Sequence, residues 1–98
     1  MVSEMTRKSD RLLLIEIYAT HVDDMKNADL IRVALFRKPG ITYVGLKSFD
    51  DDADVALFEV WCRPDVKQDL GAYIETLPIP EKIEVEQWEG NRLHIDVK

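Results

Sequence analysis

Apolar and polar residues alternate from Arg11 to Ala19 (RLLLIEIYA), with Leu13, Ile15, Ile17 and Ala19 on one side and Leu12, Leu14, Glu16 and Tyr18 on the other. A period of two predicts a β-strand. The period then lengthens: Asn27, Leu30, Ile31, Ala34 and Leu35 recur at helical spacing, after Asp23 and Asp24 and before Pro39-Gly40. The aspartates supply acceptors and negative charge where a helix begins, and the Pro-Gly pair ends it. Ile41 to Phe49 and Val55 to Cys62 read as two strands joined by the acidic turn Asp50 to Asp54. Asp65 and Gln68 have the spacing of a capping box, and Val66, Leu70, Tyr73, Ile74 and Leu77 form the apolar stripe of a second helix that Pro78 and Pro80 stop. Ile83 to Trp88 and Arg92 to Val97 alternate around Glu89-Gly90-Asn91, predicting a fourth strand and a short fifth.

This order predicts an α+β fold, a ferredoxin-like βαββαβ two-layer sandwich with an antiparallel sheet. Residues 1–10 read as a flexible N-terminal tail and residues 11–98 as a single domain. Two helices cover one face of such a sheet, the face that takes Leu13, Ile15, Ile17, Ala56, Phe58, Val60 and Cys62. The other face is expected to carry Leu14, Tyr18, Tyr43, Phe49, Val55, Leu57 and Trp61, with Glu16, Glu59 and Lys47 among them. An apolar and aromatic patch of that kind marks an interaction surface, so a homodimer formed through the sheet face is the expected assembly.

Charge removes two classes of partner. A net charge of −6 opposes a phosphate backbone or an anionic lipid surface, which leaves no expectation of nucleic-acid or membrane binding. The single cysteine, Cys62, has no internal disulfide partner and no zinc-ligand spacing around it. With no signal-peptide pattern in the first ten residues and no long apolar run, a cytoplasmic location is expected.

From Pro39 to Leu77 the chain resembles the antibiotic-biosynthesis monooxygenase-like family. Pro39-Gly40 and Tyr43 match its Pro-Gly-aromatic turn, Asp50 to Asp54 its acidic turn, and Glu59-Val60-Trp61 its Glu-x-Trp strand end, followed by a helix. The opening strand and loop, IEIYATHVDDM, also fit. The resemblance implies a dimeric α+β barrel of two face-to-face sheets, and a cofactor-independent monooxygenase-like activity on a small flat aromatic or quinol-type molecule held between sheet and helices. The chain departs from the family at Leu57, where the oxygenases carry an asparagine, and in residues 71–80, where haem-degrading members carry a histidine. The alternative is a non-catalytic dimeric binding or regulatory module on the same scaffold.

Trp61 is the first candidate, as a stacking surface for an aromatic substrate or as an interface anchor. Glu59 and Glu16 fall on adjoining strands, where a shared proton would suit acid–base work unless Lys47 or an arginine pairs with them. Tyr18, Asn27 and Tyr73 are candidate ligand contacts, although Tyr73 also belongs to the apolar stripe of the second helix. His21, Asp23 and Asp24 follow strand one in a loop where metal ligands could converge, but helix capping accounts for both aspartates and no metal or other cofactor is expected. His94 reads as a solvent-facing residue of an edge strand, and Cys62 as a buried small hydrophobe.

Overall fold

The computed structural model describes residues 11–98, so the expectation of a flexible tail at 1–10 lies outside the described residues. The elements are β1 (Leu13–Thr20), α1 (Met25–Phe36), β2 (Ile41–Asp50), β3 (Val55–Cys62), a 3-10 turn (Pro64–Val66), α2 (Lys67–Glu75), β4 (Ile83–Glu89) and β5 (Arg92–Val97). The strands form one sheet in the order β2-β3-β1-β5-β4. β3 is antiparallel to both β1 and β2, β4 is antiparallel to β5, and β1 is parallel to β5.

The architecture is therefore an α+β sandwich of a five-stranded mixed sheet and two helices, compatible with the ferredoxin-like arrangement. The expectation of an antiparallel sheet is corrected at one pairing. The Glu89–Arg92 hairpin folds β5 back between β4 and β1, and reversing direction at that turn makes β5 run with β1. Gly90 allows the tight reversal, with φ +61° and nothing within reach of an added β-carbon.

Both helices pack on one face. Ile15, Ile17 and Ala19 of β1, Phe58 and Val60 of β3, and Leu93 and Ile95 of β5 are buried there against Ala28, Ile31 and Leu35 of α1 and Leu70 and Ile74 of α2. Asp24 caps α1 by accepting from the Asn27 backbone N–H at 2.9 Å. The stripe of α1 is rotated from the expected one, because Ala28 rather than Leu30 faces the sheet and Leu30 is exposed. At α2 the expected capping box is absent. Residues Pro64–Val66 form a 3-10 turn first, α2 begins only at Lys67, and Asp65 pairs with Arg63 instead.

Phe49 is a second correction, since it packs against the helix-side core and not on the open face. A register shift between Leu46 and Ser48 inserts one extra residue into β2. Beyond the bulge each side chain changes faces, so Phe49 stands opposite Ala56, on the covered side.

Candidate functional site: the open face of the sheet

The helix-free face is built by alternation on β1 and β3, whose pairing runs unbroken over eight residue pairs. Leu14 stands opposite Trp61, Glu16 opposite Glu59, Tyr18 opposite Leu57 and Thr20 opposite Val55. Tyr43 of β2 is the register partner of Trp61 on its other side. At Gly45 an added β-carbon would lie 2.2 Å from the Tyr43 hydroxyl oxygen, so the glycine leaves room for the tyrosine side chain to lie along the strand. Trp61 and Tyr43 are 37% and 49% exposed, which leaves a pair of aromatic rings facing solvent on a sheet whose other face is closed.

A charged network crosses the middle of this face. Arg92 donates to one Glu16 oxygen from Nε at 3.1 Å and Nη2 at 2.8 Å, and Lys47 donates to the other at 3.2 Å. The Arg92 guanidinium lies 6.0 Å from the Tyr18 ring centre, Tyr18 packs on His94 at 5.3 Å between ring centres, and His94 Nε2 meets Glu89 at 3.3 Å. Glu59 has no hydrogen-bonded or ion-paired side-chain partner among the described residues.

Hydrogen bonding from Arg92, then from Lys47, holds the Glu16 carboxyl below its ordinary value. Glu16 is therefore a charged ion-pair centre, with its two oxygens taken by Arg92 and Lys47. A folded-state pKa below the unfolded value means that the contribution is complete above the unfolded pKa, near 4.5, and disappears as pH falls through the lowered value. Thermal midpoints are therefore expected to hold from neutral pH down to about 4.5. Below that, wild type should lose more stability than Arg92→Gln, which lacks the main cause of the shift.

The structure brings Trp61, Glu59, Glu16 and Tyr18 onto this one face and places the other two candidates elsewhere. Tyr73 lies in the helix layer, where its hydroxyl donates to the Ala34 carbonyl at 2.8 Å and Lys38 sits 5.1 Å from its ring centre. Asn27 lines a groove with His21 and Asp23 at the far end of β1. Trp61 faces away from the helices, and the layer between sheet and helices is filled by Ile15, Ile17, Phe58 and Val60, all fully buried. The expected seat for a substrate beside Trp61 in that layer is thus corrected: among the described residues that layer is filled, and Trp61 is exposed on the open face.

His94 is half-buried between Tyr18 and Glu89, and β5 is an interior strand, so the reading of His94 as an edge residue is also corrected. Burial pushes the Cys62 thiol above its ordinary pKa, in keeping with a small buried hydrophobe. Sequence reasoning missed Arg92 as the main partner of Glu16. The alternation of Arg92, His94 and Asp96 placed them on one side of a strand, but only the parallel pairing of β5 with β1 sets Arg92 opposite Glu16.

Among the described residues no helix is long and apolar enough to cross a membrane. Comparison with protein-family models, with curated proteins and with solved structures finds no match for this chain. The resemblance to the monooxygenase-like family rests on the quoted residues alone.

Proposed function

We propose that the chain is a binding module that works as a homodimer, with two copies packed open face to open face. The observation that carries this reading is the exposed Trp61–Tyr43 pair, continuous with Leu14, Leu57 and Tyr18, around a Glu16 charge that Arg92 and Lys47 already neutralise. A charge paired and hydrogen-bonded within one copy can be covered at far lower cost than a bare one, so Glu16 adds little to the cost of closing the face. Glu59, without a side-chain partner among the described residues of its own copy, adds the main penalty that the apolar contacts must exceed.

Area favours a second copy as the occupant. Five strands about 4.8 Å apart, with about eight residues each at 3.3 Å rise, present a flat area of about 600 Å² per copy. That approaches the roughly 800 Å² per partner of a standard stable interface. Edge-to-edge pairing is discouraged on both sides. β2 is broken by two register shifts, β4 by one, and β4 carries Glu84, Glu86 and Glu89, with its Val85 N–H already given to Glu75.

A second reading draws on the same ring pair: Trp61 and Tyr43 as the stacking surface for a flat aromatic or quinol-type molecule, oxidised without a prosthetic group as the resemblance implies. Trp61→Ala separates the two. In the dimer reading the truncation costs about 2 kcal/mol of assembly, or about 30-fold in the dissociation constant. An unchanged constant would remove Trp61 from the interface and favour the ligand-stacking role.

A further inference from the structure

At the end of β1 opposite Trp61, three polar side chains converge on Asp96. His21 Nδ1 bonds Asp96 Oδ1, the Thr20 hydroxyl donates to the same oxygen at 3.0 Å, and the Lys98 ammonium lies 3.4 Å from Oδ2. The Asp96 side chain is 12% exposed and that of His21 is 71% exposed, so a nearly buried carboxylate fixes an accessible imidazole. Thr20 and Asp96 are register partners on parallel strands, which fixes the carboxylate from below. His21 adopts the left-handed backbone, φ +61°, in a loop tied to the β2–β3 turn by the Val22 N–H donating to the Asp54 carbonyl at 2.8 Å. Histidine tolerates that region better than most residues but gains nothing from it intrinsically.

We propose that His21 is a general base, held by Asp96 as its positioning residue, in a small groove that takes esters of small cationic acids. With Nδ1 committed to Asp96, the neutral ring carries its lone pair on Nε2, which has no partner among the described residues. The groove measures about 400 Å³, the size of a small-molecule site, and Asp23, Asn27, Glu81 and Lys98 line it with His21 and Asp96. Its carboxylates outnumber its cations, which selects a positively charged ligand.

In the reaction, Nε2 takes a proton from water as the water oxygen bonds to the ester carbonyl carbon and the π pair moves onto the carbonyl oxygen. Collapse restores the carbonyl, breaks the bond to the leaving oxygen, and Nε2–H returns the proton to that oxygen. Acid and alcohol are released and the imidazole is regenerated. Thr20 and Asp96 stand at the far end of the open face, with His21 in the loop beyond it.

The charges around the His21–Asp96 pair are Lys98 after β5, Asp54 on the β2–β3 turn, Asp23 on the loop of His21, Glu81 before β4, and Glu84 and Glu86 of β4, whose carboxylates lie within 4.8 Å of that of Asp96. The Asp96 bond dominates and raises the His21 pKa above its ordinary value, a direction that strengthens the base.

The test is release of p-nitrophenolate from the p-nitrophenyl ester of γ-butyrobetaine, with mono-p-nitrophenyl glutarate as the anionic control. Wild type should exceed buffer by about 100-fold with the cationic ester, as general-base catalysis allows, and should favour it over the anionic one. His21→Asn, which keeps the left-handed backbone, should fall to the buffer rate with an unchanged circular dichroism spectrum. Asp96→Asn should lower the high-pH plateau and move the inflection of the pH profile down toward an ordinary imidazole. A His21→Asn rate equal to wild type, a preference for the anionic ester, or an Asp96→Asn profile superimposable on wild type would each overturn the proposal.

Discussion

Leu57→Asp is expected to abolish assembly and leave a folded monomer. Leu57 is half-buried on the open face, opposite Tyr18 and next in sequence to the fully buried Phe58. An aspartate there adds an unpaired carboxylate to a surface that already holds Glu16 and Glu59 side by side. Covering a bare charge costs about 3–5 kcal/mol, which weakens a dimer by at least about 100-fold. The fold should lose no more than about 1 kcal/mol, the span of strand preference at a surface position. Sedimentation velocity reads the mass, and a urea titration of the same sample reads the fold. A variant that still dimerises would show that this face stays uncovered.

Phe58→Ala, one residue along the same strand, is expected to produce the converse result. Phe58 is fully buried, pairs with Ile17 and Leu46 in the sheet, and lies in the layer covered by the helices. Truncating a buried phenylalanine removes its transfer free energy and leaves a cavity, at a cost of about 3–5 kcal/mol. Domains of this kind have about 5–15 kcal/mol in total, so the urea midpoint should fall by roughly a fifth or more. The equilibrium m-value should change little if the denatured chain is unaffected. The two neighbours therefore separate assembly from stability, because successive strand residues face opposite ways.

The same alternation explains what was legible in the sequence. On β1 and β3 nothing interrupts the pairing, so Ile15, Ile17, Phe58 and Val60 could be assigned to the covered face and Leu14, Tyr18, Leu57 and Trp61 to the open one from spacing alone. On β2 the shift after Leu46 has no signature in residue type, and it moved Phe49 to the covered face. The β4–β5 hairpin was readable from Gly90 and its flanking alternation, but which strand β5 would join was not. That one long-range choice decides the partners of Glu16, Tyr18 and Asp96, and with them Arg92, His94 and His21. Local pattern encodes which face a residue takes; register between distant strands comes from packing the whole core. At the start of α2, Asp65 and Gln68 matched a capping box in spacing, yet the Pro64–Val66 turn moved the first helical residue past Asp65.

In the proposed assembly a second copy closes the open face. Sedimentation equilibrium of the wild-type chain at neutral pH, over a range of concentrations spanning the micromolar, tests it most directly. A reversible monomer–dimer equilibrium is expected, with the dimer dominant at the upper concentrations and retained at moderate salt, since apolar contact and not charge pairing between copies would join the two faces. A single species at 11.3 kDa across the whole range would contradict it.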